Sequence, residues 1–514
     1  MNGAHALIET LVGCGVDVCF ANPGTSEMHF VGALDDVPGM RVVLGLFEGV
    51  ATGAADGYAR LSGRPAATLL HLGPGMANGM ANLHNARRAR VPLVNIVGDH
   101  ATYHSRYDAP LNSDIETVAR TFSGWTSRPD RPEDIGTAAA AAVAAALKPP
   151  GSISTLILPA DVSWGDGARP SAPQPYAALA TVPDDITRSI AKLLASGERC
   201  LLLLGGSATR ADALRDASRI AAATGAGLLL ETSLARLERA GGLPQVDRLA
   251  YRAGSAVRQL AGVRHLILVD ARSPVAFFAY PGRDSELVPE GCEVHVLSSG
   301  ADDSAQVLAE LADRVGAGPG GPASVSRPAR PSGALTVQAV GDAIGALLPD
   351  GAVVIDEGVT SGGYVAAATA AGPRHDWLNV TGGAIGIGLP MAVGAAVAVP
   401  GRKIVGLQAD GSSMYTFQAL WTQAREKLDT TTVIFNNGQY SILRSELKRV
   451  GATEGPKALD LLDLTRPDIN FAAVANGLGV EAERAATAEE FTAALERALA
   501  DDGPRLVEAV LRSL

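Results

Sequence analysis

Basic residues, cysteines and aromatics are all scarce in this sequence, and each scarcity closes off a class of function. Lysine and arginine number 43 against 54 acidic residues, for a formal net charge of −11. That balance lacks the electropositive footprint a nucleic-acid binder needs. Four cysteines occur in 514 residues, Cys14, Cys19, Cys200 and Cys292. None stands at a metal-ligand spacing, so they read as small buried hydrophobes of a reducing compartment. No apolar run reaches about 18 residues without charge or Gly/Pro punctuation, so no membrane span is expected. Met-Asn-Gly-Ala-His carries no basic segment ahead of an apolar one, so no secretory leader is expected either. These absences point to a cytoplasmic protein. No Gly-x-Gly-x-x-Gly follows the first strand, which weakens the case for a nucleotide-dependent oxidoreductase. Aromatics make up only 4 % of the chain, whereas hydrophobic residues reach 47 % and glycines number 58. Small apolar residues in that proportion suit tightly packed α/β layers.

Two Pro/Gly/Ala-rich stretches, Trp164 to Pro183 and Gly316 to Gly333, read as linkers. They leave three segments of similar size, 1–165, 183–316 and 334–514. Each alternates short β-rich runs with longer helical patterns, the signature of parallel sheets. The predicted fold class is therefore α/β, with three consecutive doubly wound parallel-sheet domains. Strands are expected at 17–21, 42–47, 66–70, 93–97 and 154–158 in the first segment. The second is expected to hold 200–204, 227–230, 266–269 and 293–297, and the third 353–355, 404–407, 432–435 and 505–509.

The third segment carries the sharpest chemical signal. One apolar strand ends at Asp410, in Ala409-Asp410-Gly411-Ser412-Ser413. The next ends at Asn437, in Asn436-Asn437-Gly438-Gln439-Tyr440. Residues 417–427 between them read as a helix. Two hard oxygen ligands thus stand at adjacent strand ends, where parallel sheets bind ligands. A carboxylate, an amide oxygen and a nearby carbonyl suit Mg²⁺. Gly411, Ser412 and Ser413 are small enough to let a diphosphate approach backbone N–H groups. Gly165-Asp166-Gly167 has no matching Asn-Asn and reads as a loop.

The 410–437 pattern resembles the cofactor motif of thiamine diphosphate (ThDP) enzymes. By that resemblance Asp410, the Asn437 side chain and the Gln439 carbonyl hold Mg²⁺. The order of three α/β domains resembles the decarboxylase and acetolactate synthase group. There the first domain binds the aminopyrimidine, the middle one is structural or holds an accessory nucleotide, and the third binds the diphosphate. Such an enzyme needs a glutamate on its first domain. Glu48 fits, ahead of a small-residue helix and Asp56-Gly57-Tyr58-Ala59-Arg60. A strand is expected to end at Phe47, with the Glu48 carboxyl among Leu46, Phe47 and Val50. In the family that carboxyl shares a proton with the pyrimidine and so promotes loss of the thiazolium C2 proton. A structural alternative is a helix-start glutamate that favours the dipole. In the family the two half-sites meet across a subunit interface, which implies a homodimer or homotetramer.

Other stretches match as well. Asn22-Pro23-Gly24-Thr25-Ser26-Glu27 is similar to the family's loop beside the substrate carboxylate. Thr25 and Ser26 are candidate partners there, or helix caps. His71, in His71-Leu72-Gly73-Pro74-Gly75, is a candidate proton donor or acceptor. Thr360 and Ser361 are placed to touch the diphosphate. Gly383 would accept from the 4′-amino group through its carbonyl, and Ile385 would prop the cofactor. Gly24, Gly411, Ser412, Ser413, Tyr440 and Ile442 complete the implied cofactor contacts.

The substrate-selecting positions match neither of the two nearest groups, acetolactate synthases and benzoylformate decarboxylases. Gly124 stands where both carry a lysine. Gly98-Asp99 replaces Gly-Gln. Glu446 lies where an acceptor-binding Trp is expected, and Phe277-Phe278-Ala279-Tyr280 lacks the decarboxylase histidine. Acetolactate synthases hold FAD in the middle domain. Gly205-Gly206-Ser207-Ala208 leaves FAD possible here but not favoured. The resemblance implies an acetolactate synthase-like activity, decarboxylation of a 2-ketoacid followed by carboligation or protonation. The alternatives are a benzoylformate-type decarboxylase and a non-catalytic ThDP-binding paralogue. No nucleic acid or membrane partner is expected.

Overall fold

The computed structural model describes residues 1–511. Three sheets follow one another along the chain. The first contains β1 (Val18–Asn22), β2 (Arg41–Leu44), β3 (Ala66–Leu70), β4 (Leu93–Asp99), β5 (Trp125–Ser127) and β6 (Ile153–Pro159), in the order β2-β1-β3-β4-β6-β5. The second contains β7 (Cys200–Leu204), β8 (Gly227–Leu230), β10 (His265–Val269) and β11 (Glu293–Ser298), in the order β11-β10-β7-β8. The third contains β12 (Val353–Glu357), β13 (His375–Asn379), β14 (Ile404–Ala409), β15 (Thr430–Asn436), β16 (Glu481–Ala485) and β17 (Arg505–Val510). Its order, β16-β17-β15-β14-β12-β13-β9, ends on β9 (Leu237–Arg239), a strand from the middle segment. Every pairing is parallel except β13 with β9. β3, β4, β6, β7 and β15 are buried along their whole length. Helices cover both faces of parallel sheets, which is why these strands carry apolar residues at consecutive positions instead of at every second one.

Small residues bring the first and third domains together. The Glu48–Ser62 helix lies against the Gly388–Ala398 helix. A Cβ on Gly394 would collide with the Ala54 carbonyl, and one on Gly57 with the Met391 backbone. Two helices can approach this closely only where they carry no side chain at the crossing. The core that runs between the two sheets includes Val50, Ala51, Ala54, Leu389, Val393 and Ala396.

Two local expectations need correction. β2 ends at Leu44 rather than Phe47. The chain leaves the sheet at Gly45, and Phe47 takes the extended conformation that precedes the Glu48–Ser62 helix. The helix between Asp410 and Asn437 is Ala419–Arg425, shorter than 417–427, and Lys427 is already left-handed at φ 51. Among the described residues no helix is long and apolar enough to cross a membrane.

Candidate active site

β14 and β15 are parallel neighbours with Ala409 opposite Phe435. Asp410 and Asn437 therefore emerge side by side at their carboxyl ends. Asp410 is 3 % exposed. Its Oδ1 accepts from Gly411 N–H at 2.8 Å and its Oδ2 from Gly438 N–H at 2.7 Å. Burial raises the pKa of this carboxyl, against the pull of those backbone donors. Gln439 N–H donates to Asn437 Oδ1 at 3.0 Å, while Asn437 Nδ2 donates to Ser441 Oγ at 3.0 Å. The amide oxygen is thereby turned away from Ser441. Together with the Gln439 carbonyl this is an all-oxygen donor set, which fits a hard cation such as Mg²⁺. A Cβ on Gly411 would strike the Tyr440 ring, so glycine here lets the ring lie over the turn. Ser412 Oγ and Ser413 Oγ donate to the Ala409 and Asp410 carbonyls. Their hydroxyls brace the turn, which leaves backbone N–H groups as the donors suited to a diphosphate. Ser361 is buried, Thr360 is exposed, and Ile385 and Ile442 are half-buried.

The 382–388 loop is held from three directions. Asn85 Oδ1 accepts from Gly382 N–H at 3.0 Å, and Asn85 Nδ2 donates to the Ala384 carbonyl at 2.7 Å. From below, Glu357 accepts from Gly386 N–H at 2.5 Å and from Gly388 N–H at 2.6 Å. Burial pushes the Glu357 carboxyl up to about 7, although both N–H groups favour its charged form. Arg60 forms a buried ion pair with Asp56 and also donates to the Asn379 carbonyl and Thr381 Oγ1, just ahead of the loop. Gly383 itself sits at φ 77. Phe277 of the middle segment closes over it, with its ring tip 2.7 Å from where a Gly383 Cβ would lie.

On the first domain, Glu48 opens its helix and is 6 % exposed. Asn78 Nδ2 donates to Glu48 Oε2 at 2.9 Å. Leu46, expected to shield the carboxyl, is 47 % exposed, so Phe47 and Val50 do that work alone. Close by, buried Glu27 organises three groups. Gly24 N–H and His71 Nδ1 both bond to Glu27 Oε2, at 2.8 and 2.9 Å. Ser26 Oγ donates to Glu27 Oε1 at 2.7 Å and lies 3.3 Å from His71 Nδ1. A Cβ on Gly24 would collide with the His71 ring, so this glycine makes room for the histidine. Thr25 is exposed. Glu27, Asn78, Asn85, Glu357 and Phe277 are site residues to which the sequence reading gave no role. Asn78, Asn82 and Asn85 did leave a signal, because they recur at helical spacing on the Leu72–Ala89 helix.

A cavity of about 840 Å³ opens where the middle domain meets the other two. The Gly205-Gly206-Ser207 turn faces it, and that turn already holds a carboxylate. Ser207 N–H and Oγ donate to Asp270 Oδ2 at 2.8 and 3.0 Å. Arg90 pairs with the other Asp270 oxygen. Asp270 is 4 % exposed and left-handed at φ 49. Half-buried Glu231 stands beside it and accepts from Arg272 N–H at 2.6 Å.

Comparison with known proteins agrees with this geometry. Residues 1–119 match the N-terminal TPP-binding domain of thiamine pyrophosphate enzymes, and residues 360–509 match the C-terminal TPP-binding domain. A Mycobacterium tuberculosis protein bearing the provisional name acetolactate synthase large subunit IlvX is 59 % identical over 100 % of both chains. Benzoylformate decarboxylase of Pseudomonas aeruginosa is 30 % identical over 97 % of each. The solved thiamine diphosphate-dependent 4-hydroxybenzoylformate decarboxylase of Rhodococcus jostii RHA1 superposes with a TM-score of 0.87, at 27 % identity and 99 % coverage of both chains. The two half-sites, the three-sheet order and these relatives agree: the chain belongs to the thiamine diphosphate-dependent enzyme family of acetolactate synthases and benzoylformate decarboxylases.

Proposed function

We propose that the protein is a Mg²⁺-dependent 2-ketoacid decarboxylase that returns a proton to the reacting carbon, in a site shared by two copies of the chain. The Glu27–His71–Ser26 cluster carries this reading. Glu27 binds Nδ1 of His71 and leaves Nε2 as the nitrogen that exchanges protons. A reaction ending in protonation needs such a group, and a purely structural histidine does not need a buried carboxylate to fix its tautomer. When bound, thiamine diphosphate supplies the electron sink for the pair released as CO₂ departs. The chain's residues do the rest. Glu48, oriented by Asn78, would exchange a proton with the pyrimidine ring. Asp410, Asn437 and Gln439 would hold the metal, and the Gly383 carbonyl would accept from the amino group. Ser26 would hold the substrate carboxylate once its hydroxyl turns away from Glu27 Oε1.

Aromatic side chains support an aryl or branched apolar substrate tail. Phe277 stands over Gly383, with the Tyr251 ring 5.1 Å and the Phe278 ring 4.9 Å from it by centroid. Apolar residues beside the half-sites, Leu46, Met414 and Tyr415, are 45–55 % exposed in the single chain, as suits a surface that a second copy covers. A second reading, carboligation, is favoured by the name of the 59 % identical relative. Products separate the two. Incubated with benzoylformate or a branched 2-ketoacid, ThDP and Mg²⁺, the protein is expected to release the aldehyde. His71→Ala is expected to slow that release about 100-fold or more. A 2-hydroxyketone as the main product would overturn the decarboxylase reading.

We infer that the middle domain takes no dinucleotide. The turn that would receive its phosphates is filled by Asp270, which takes the Ser207 N–H and hydroxyl and pairs with Arg90.

A further inference from the structure

The structure assigns a second metal site, for a transition cation of the zinc type, to His265, Glu293 and His295 at the amino ends of the middle-domain strands. It is far in chemistry from the oxygen site at Asp410, and the family's reaction does not call for it. His265 is the first residue of β10, and Glu293 is the first residue of the edge strand β11. The strands are parallel, with His265 opposite Glu293 and Ile267 opposite His295. Glu293 and His295 are two apart and so share one face of the strand, the face His265 occupies on its neighbour. One face of two strands thus gathers three ligating groups.

The distances suit a metal. His265 Nδ1 lies 3.1 Å from His295 Nε2, and Glu293 Oε2 lies 3.8 Å from each nitrogen. Two ligands about 2.0–2.1 Å from a tetrahedral Zn²⁺ stand roughly 3.3–3.4 Å apart. A shift of about half an ångström at Glu293, whose side chain is 71 % exposed, therefore closes the triangle. Water on the exposed side supplies the fourth ligand.

His265 is oriented as metal-bound histidines are. Its Nε2 meets Glu198 Oε2 at 2.8 Å. That carboxylate accepts a hydrogen bond from Nε2–H, which leaves the Nδ1 lone pair facing His295. A carboxylate behind a histidine fixes the tautomer and raises its basicity as a ligand. Two imidazoles and one carboxylate suit Zn²⁺, Ni²⁺ or Cu²⁺ over Mg²⁺, while the Asp410 set has the opposite preference. Parallel sheets bind substrates at their carboxyl ends, and this cluster lies at the other end. Its effect is to pin the edge strand to β10 and to the residues leading into β7.

The test uses the full-length protein, stripped of adventitious metal with EDTA and then saturated with ThDP and Mg²⁺. Zn²⁺ is titrated against a chromophoric chelator, and Co²⁺ is followed by its visible absorption. The wild-type protein is expected to bind one equivalent, with tetrahedral Co²⁺ bands and a rise in unfolding temperature. His295→Gln is expected to weaken that binding at least ~100-fold, and Glu198→Gln ~10–100-fold. Both should leave ketoacid turnover in Mg²⁺ unchanged. If His295→Gln fails to fold, Glu293→Gln at the exposed position takes its place. Equal Zn²⁺ affinity in the wild-type and ligand variants, or no equivalent bound by the wild type, would overturn the assignment.

Discussion

Glu27 binds His71 through one carboxylate oxygen and Ser26 through the other, so its chemistry can be separated from its bulk. Glu27→Gln keeps the shape but puts an amide where a carboxylate stood. We expect kcat for aldehyde formation to fall ~10–100-fold with KM changed less than threefold. Equal losses in kcat and in unfolding temperature would instead mark Glu27 as structural. His71 could be singled out in the sequence because it follows β3, and Ser26 because it lies in the loop after β1. Glu27 lies in the same run as Ser26, but a glutamate three residues after Gly24 carries only the pattern of a helix-start cap. It does cap, through Gly24 N–H, and it holds the histidine with the same oxygen. Local pattern shows the first role, while only the fold, which brings residue 71 to residue 27, shows the second.

The Asp56-Gly57-Tyr58-Ala59-Arg60 run and the 382–388 loop form one working element. Arg60 is paired with Asp56 out of contact with water and reaches across to Asn379 and Thr381. Asp56→Ala leaves that guanidinium uncompensated. It is expected to cost about 3–5 kcal/mol in denaturant unfolding and to weaken ThDP binding as the loop loosens. An Asp56→Ala protein of unchanged midpoint would contradict this coupling. Glu357 beneath the loop adds a pH dependence. Its folded pKa of about 7 exceeds the unfolded value of 4.5, so the folded state holds its proton longer. The stability gained from that proton is complete below about pH 4.5 and is lost as pH rises through about 7, on the order of 3 kcal/mol in total. Wild-type stability should therefore fall relative to Glu357→Gln across that window. A constant difference would contradict the assignment. The apolar strands of each sheet were legible from their runs. β13 was not, because His375-Asp376-Trp377-Leu378-Asn379 looks polar. It is buried because Arg236 and Arg402 neutralise Asp376, and such partners are distant in sequence.

The whole molecule sets what the half-sites can do. The three sheets could be read from the alternation of β-rich runs with helical patterns, but β9 crossing into the third sheet could not, since three residues carry no period. Nor could Asp270 be recognised as the occupant of the Gly205-Gly206 turn. Asp270→Gly tolerates the left-handed backbone and vacates that seat. We expect it to gain at least ~100-fold in affinity for FAD or ADP over a wild-type protein that binds neither detectably. Flavin bound tightly by the wild type would contradict this. A shared active site also predicts that activity per chain falls on dilution below the dimer dissociation constant and returns on concentration. Most directly, CO₂ release from a 2-ketoacid panel should be measured with and without ThDP and Mg²⁺, for the wild type and for Glu48→Gln. We predict release only with both cofactors, and a loss of at least ~100-fold in Glu48→Gln, which still binds ThDP. Undiminished release by that variant, or no release from any ketoacid by the wild type, would contradict the account.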